Sequence, residues 1–446
     1  KMSSHSSEIL HGLIGAPKIQ IVSSSGIMLR DAQGRDIIDA SGGAAVACLG
    51  HSHPKVIEAI SKQLESVSYI HGLTFSTEVL EQLAQHLSDH APDPLNHSLF
   101  VSGGSEAVES AIKLARQFRI EANEPQRHHV IARRQSYHGN TFGALSASGH
   151  RARRELYEPM LLPFSHVDPC FFYRYGLPGE SAEEYALRAA NSLETEILSR
   201  GPEHVAAFLA ETVVGATLGA ATAEAGYFRR IREICDQYGV LLILDEVMSG
   251  LGRTGYHHAF EAEGIVPDMV TLAKGLAGGY QPIGAVLVAD RIFDALDQGS
   301  RFFQHALTYS GHPVAAAAAL SVQKTIVEEG LLDNVTQMGN RLKRGLTERL
   351  GEHAYVADIR GRGLLQAIEI VADRSSKQPF DPDQRIYERI RVAALENDLM
   401  VYPSPGCADG VRGDHVLLAP PYNVTAPEID LILEKVTEAI DLGLRL

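Results

Sequence analysis

Residues 240–246 read VLLILDE, and residues 268–279 read DMVTLAKGLAGG. Each is a short apolar run, too continuous to leave one face in water, which marks a strand buried on both sides. Each also stops at residues that carry chemistry. Asp245 and Glu246 end the first, and Lys274 ends the second, with Gly275, Gly278 and Gly279 close behind. Ligands of open α/β sheets sit outside the carboxyl ends of the strands, so these endings point to a site as well as to a fold class.

Working outward, four more runs have the same character: 98–102 (SLFVS), 128–133 (HHVIAR), 205–211 (VAAFLAE) and 284–289 (GAVLVA). Between two of the six strands, Tyr227, Ile231, Ile234, Cys235 and Tyr238 recur on one helix face, and Gly239 follows where a left-handed cap belongs. That is a crossover helix. The class is α/β, with a large domain of mainly parallel sheet covered by helices. At the start, residues 26–39 read as two strands joined through a Gly34 turn, before a helix carrying Val56, Ile60, Leu64 and Val67. At the other end, Thr425 and Glu428 stand in capping-box spacing ahead of a stripe of Ile429, Ile432, Leu433, Val436 and Ile440. Residues 1–65 and 326–446 are expected to pack together as a smaller α+β domain, leaving 66–325 as the large one.

With 446 residues, 45% of them hydrophobic, two or three domains are expected. The 40 basic and 55 acidic side chains give a formal charge of −15, which disfavours nucleic acid as a partner. Cys48, Cys170, Cys235 and Cys407 stand far apart, with no CxxC pair, so neither a disulfide framework nor a thiolate metal site is suggested. The longest purely apolar run, Val314 to Leu320, is far short of the roughly 18 residues a membrane span needs. A cytoplasmic protein without membrane attachment is the expectation. Lys1 ahead of Met2 reads as a processing remnant, and the Ser-rich opening through Ser7 as loosely ordered.

A buried amine can be kept neutral by desolvation, which makes it nucleophilic towards an aldehyde, so Lys274 near Asp245 suggests Schiff-base chemistry. Residues 98–118 (SLFVSGGSEAVESAIKLARQF) add a strand, the turn Ser102-Gly103-Gly104-Ser105 and a helix. Free N–H groups at that helix start would hold an anion such as phosphate. Amine, carboxylate and anion cradle together are what pyridoxal 5′-phosphate needs.

With LGHSHP at 49–54, SGGSEA at 102–107, SYHG at 136–139, LILDEVMSGLGRTG at 242–255, TLAKGLAGG at 271–279, TYSGHP at 308–313 and APP at 419–421, the chain resembles the class III (ω-amino acid) aminotransferases. These are pyridoxal-phosphate enzymes of fold type I. The order of the motifs, with 29 residues from Asp245 to Lys274, makes the resemblance specific.

The resemblance implies that Lys274 forms the internal aldimine and then shuttles the substrate proton, while Asp245 pairs with the pyridine nitrogen. It implies Gly104 and Ser105 as the phosphate turn, Tyr137 as the ring stacked on the cofactor with His138 beside it, and Val247 on the opposite face. Glu211 would lie near the phenolic edge. Thr308 would reach the phosphate from the neighbouring subunit, so the active sites of a homodimer would be shared across its interface; pairing of dimers into tetramers stays open. The implied reaction moves an amino group from an amine, ω-amino acid or α-amino acid to a small 2-oxo acid, pyruvate foremost. Two departures bear on substrate. Glu211 is followed by Thr212 where many relatives have proline, and Ala216 and Leu417 stand where glutamate-using members carry a gating glutamate and its arginine. Arg412 is the nearest other carboxylate ligand, although offset from the mobile arginine of amine:pyruvate relatives.

Competing readings are plain. Lys274 and Asp245 alone could be an ion pair at the sheet edge, Ser102–Ser105 a simple helix cap, and Tyr137 a core residue. His51 and His53, His128 and His129, and His257 and His258 lack the spacing of a metal site and read as structural. GLGRTG at 250–255 matches a dinucleotide fingerprint literally, but no helix is expected to start within it, which makes a Rossmann oxidoreductase a distant reading. A class III lyase or amino-acid epimerase is the main alternative, and a non-catalytic dimer that kept the fold is a remote one.

Overall fold

The computed structural model describes residues 8–445, so the Ser-rich opening through Ser7 lies outside them. Its centre is a seven-stranded sheet in the order His97–Val101, Gly284–Val288, Met269–Leu272, Leu241–Asp245, Val205–Glu211, His129–Arg133, Ser165–Val167. All six strands expected from the apolar runs are present. Pairing is parallel from Met269–Leu272 through to Ser165–Val167, whereas Gly284–Val288 runs antiparallel to both of its neighbours. The seventh strand, Ser165–Val167, is too short and too polar to show a period in the sequence.

Four of these strands, Val205–Glu211, Leu241–Asp245, Met269–Leu272 and Gly284–Val288, are buried at every residue, which is why their sequences do not alternate. The helix Gly104–Glu121 packs on the sheet through Ala107, Val108, Ala111, Leu114, Ala115 and Phe118. The crossover helix Tyr227–Tyr238 buries Tyr227, Phe228, Ile231, Ile234 and Cys235 and ends at Gly239, which takes the left-handed φ of 66° that a C-terminal cap requires.

Segments from the two ends of the chain meet in one sheet. The hairpin Met28–Asp31 and Asp36–Asp39 is present, extended on one side by Ile21–Ser25 and on the other by Leu399–Met400, which pairs parallel to Asp36–Asp39. A separate antiparallel sheet orders Val356–Arg362, Leu365–Ile370, Asp414–Leu418 and Tyr402–Pro405. The helix Ala426–Gly443 buries all five residues of its expected stripe. Thr425 accepts from the Glu428 backbone N–H, as foreseen, but its hydroxyl also donates to the Glu428 carboxylate, so the box does not close on the Thr425 backbone.

One stripe differs from expectation. In helix Pro54–Ser66, Val56 is buried and Ile60 partly covered, but Leu64 is exposed and Val67 falls just past the helix end, also exposed. Only the first half of the helix is covered within one chain. GLGRTG forms a turn rather than a helix start. Arg253 at its centre is buried and donates to the carbonyls of Leu364 (3.1 Å) and Pro420 (2.5 Å), tying the central sheet to the carboxyl-terminal region. Gly252 has φ 104°, and a Cβ there would press on Tyr422 at 2.9 Å, so the glycines serve a tight turn.

Candidate active site

Parallel register brings the chemistry together before any side chain is considered. Asp245 pairs across the sheet with Glu211 on one side and Thr271 on the other, so the two carboxylates leave neighbouring strand ends side by side. Lys274 follows the next strand after a single residue, Ala273. A cavity of about 580 Å³ opens at this edge, a volume ordinary for a cofactor site. Its lining includes Lys274, Asp245, Glu211, Val247, Tyr137, His138 and the whole Ser102–Ser105 turn.

Lys274 sits at the start of the short turn Lys274–Leu276 with φ 29°, a backbone region that residues other than glycine seldom adopt. Burial, opposed by the nearby carboxylates of Asp245 and Glu211 and assisted by Arg153 and Arg253, brings its ammonium pKa down to about 8. The amine therefore loses its proton far more readily than a surface lysine does.

Asp245 is buried and fully oriented. Its Oδ1 accepts from the Val247 N–H at 2.9 Å, and its Oδ2 accepts from His138 Nδ1 at 2.7 Å. His138 Nε2 is buried without a partner among the described residues. The acid that follows Asp245 in sequence, Glu246, faces elsewhere. It accepts from the Thr212 hydroxyl and the N–H groups of Ala259 and Phe260, and burial raises its pKa to about 7. The two adjacent acids thus divide, one to the cavity and one to the fold.

Glu211 is held by the N–H groups of Tyr137 and Gly215, both at 3.0 Å, and burial foremost, with Asp245 adding to it, raises its pKa. Thr212 uses its hydroxyl on Glu246, and Glu211 before it lines the cavity. The turn beside helix Gly104–Glu121 offers that helix's unpaired first-turn N–H groups. It is also close-packed: a Cβ on Gly104 would lie 3.0 Å from Val247 Cγ1, and Ser105 Oγ accepts from the Asn140 N–H at 3.1 Å. An anion at this turn would lie against a positive helix end.

Two residues named from the resemblance are not in this lining. Thr308 is exposed, and its carbonyl accepts from the Tyr69 hydroxyl at 3.0 Å. Arg412 is exposed too, and its Nε pairs with Asp409 at 2.7 Å. Residues that the sequence did not single out do face the cavity: Arg153, Met248, Gln281 and Tyr402. Arg153 stands in a basic run, RARR at 151–154, and no periodicity shows which of those arginines turns inward. Of the histidines read as structural, His51 pairs with Asp39 at 2.8 Å and the His257 ring packs against that of His90.

Comparison with known proteins shows the family. The family model Aminotransferase class-III matches residues 14–440. An aminotransferase of Schizosaccharomyces pombe is 47% identical over 421 residues, covering 94% of this chain and 92% of that protein. Among solved structures, an (S)-enantioselective omega-transaminase from Thermomicrobium roseum superposes with a TM-score of 0.90 at 35% identity, covering 96% of this chain and 93% of that one. The omega transaminase of Pseudomonas jessenii, solved in complex with PMP, also reaches 0.90, at 34% identity and the same coverage.

Proposed function

The chain belongs to the class III aminotransferases, pyridoxal-phosphate enzymes of fold type I, and from that premise we propose that it carries an amino group from an amine, ω-amino acid or α-amino acid to a small 2-oxo acid such as pyruvate, with Lys274 as the cofactor's covalent anchor. The observation that carries the reading is the pairing of an amine brought down to about 8 with a buried, doubly held carboxylate in one cavity. Bound there, pyridoxal 5′-phosphate supplies an aldehyde that takes up the amino group and a ring that withdraws electrons from the reacting carbon.

The residues fit that group. Lys274 Nζ would hold its aldehyde carbon, and Gly104 and Ser105 would hold its phosphate at the helix start. Asp245 would face the ring nitrogen, aimed by Val247 N–H and His138. Val247 and Tyr137 would bracket the ring, and Glu211 would lie at its oxygen edge. With its lowered pKa, the Lys274 amine would be suited to taking a proton from the substrate carbon and giving it back. Thr308, exposed and outside the lining of its own cavity, supports the reading that it completes the phosphate site of a partner subunit in a homodimer.

The test is a single half-reaction. Holoenzyme mixed with an amino donor and no acceptor should accumulate one equivalent of pyridoxamine phosphate per site and stop, then resume when pyruvate or 2-oxoglutarate is added. Continuous turnover of donor without any acceptor would identify a lyase or epimerase instead.

A further inference from the structure

Three arginines stand within four residues, and the fold gives each a different position. Arg151 is exposed. Arg154 donates to the carbonyls of Leu145, Ser146 and Ser148 at 3.1, 2.8 and 2.7 Å, closing the end of helix Phe142–Ala147, and pairs with Glu158. Arg153 turns into the cavity, half-buried, with its guanidinium carbon 4.5 Å from the centre of the Tyr137 ring.

What sets Arg153 apart is the lack of an acceptor. Among the described residues no carboxylate forms an ion pair with it and no carbonyl or side chain accepts from its guanidinium; the ring of Tyr137 is its contact. An arginine drawn in from solvent ordinarily finds an acceptor, because five N–H donors are costly to leave unmatched. This chain has 55 acidic side chains to offer one, and none does. Stacking on Tyr137 holds the guanidinium in place without using its donor edge, which remains free for a planar two-oxygen acceptor.

The position suits a substrate. Lys274 and Arg153 are the only lysine and arginine in the lining among the described residues, and Arg153 is close enough to contribute to the lowered pKa of the Lys274 amine. Arg412 is committed to Asp409 through its Nε and, on the same acid, its backbone N–H at 2.6 Å.

We propose that Arg153 is the docking cation for the carboxylate of the acceptor oxo acid and of carboxylated amino donors, binding both carboxylate oxygens in the cavity it shares with Lys274. This rests on the transaminase reading and names its substrate class: acids are preferred, with Arg153 as the specificity determinant.

Holoenzymes carrying Arg153→Gln and Arg153→Lys test it, compared with the unaltered protein for the cofactor's visible band, for binding of propionate by calorimetry, and for KM values of pyruvate and benzylamine. A charge-assisted pair of hydrogen bonds predicts that Arg153→Gln weakens propionate binding and raises the KM of pyruvate by roughly 10- to 100-fold. The KM of benzylamine, which has no carboxylate, should change far less than that of pyruvate, and Arg153→Lys should fall between. Unchanged propionate binding in Arg153→Gln would overturn the assignment. So would loss of the cofactor band in both variants, which would place Arg153 on the cofactor, or an equal loss with pyruvate and benzylamine, which would make it a prop for Tyr137. If propionate binds through Arg153 but no donor yields pyridoxamine phosphate, the docking role stands and the transaminase reading fails.

Discussion

An amine with a pKa of about 8 is about one-tenth neutral at pH 7 and nine-tenths neutral at pH 9. Only the neutral form of Lys274 attacks an aldehyde, so capture of pyridoxal phosphate by the apoprotein should quicken about tenfold across that interval and level off above it. Stopped-flow absorbance checks this; a rate still climbing towards pH 10.5, as an ordinary lysine would give, contradicts it. The residue holds its place with φ 29°, a conformation whose cost, about 1 to 3 kcal/mol, the surrounding packing must meet. Lys274 and Asp245 were legible in the sequence because each ends an apolar run, and a strand end fixes where its last side chains emerge. Arg153 was not legible: its neighbours Arg151 and Arg154 have the same chemistry and opposite fates, decided by contacts with Leu145–Ser148 and Tyr137 that a local pattern does not encode.

At the scale of elements, the crossover helix Tyr227–Tyr238 shows how much of the site depends on a cap. It returns the chain from the Glu211 strand to the Asp245 strand, and Gly239 makes the reversal with φ 66°. Gly239→Ala should cost about 1 to 2 kcal/mol for an alanine in that conformation, with Arg127 Nη2 only 3.3 Å from the added carbon. A lower urea midpoint with unchanged activity per folded molecule is the expected result; unchanged stability would mean the cap is not limiting. Fully buried strands announced themselves, since Val205–Glu211 and Leu241–Asp245 have nothing but apolar residues ahead of their acids. Ser165–Val167 and Ile21–Ser25 did not, being short or exposed along most of their length, with positions set by their neighbours rather than by their own composition.

At the scale of the whole molecule, a single chain leaves several parts facing outward that the proposed reaction needs covered or supplied. Leu64 and Val67 are exposed past the covered half of their helix, and Thr308 lies away from its own cavity. If Thr308 serves the partner's phosphate site, hybrids of Lys274→Ala and Thr308→Ala subunits will contain sites with both residues intact. Those sites should bind pyridoxal phosphate as the unaltered dimer does, against about tenfold weaker binding in the Thr308→Ala homodimer, the loss of one hydrogen bond to a charged group. Hybrid sites no better than that homodimer would place Thr308 outside the phosphate site. The sheet order, the register that sets Asp245 beside Glu211 and the burial that lowers the Lys274 amine pKa all converge on one attachment point. Reduction of the holoenzyme with borohydride, followed by proteolysis and mass spectrometry, reads that point directly. The vitamin B6 adduct is expected on Lys274 alone, at one per chain; an adduct on any other lysine, or none in a protein that transaminates, would contradict it.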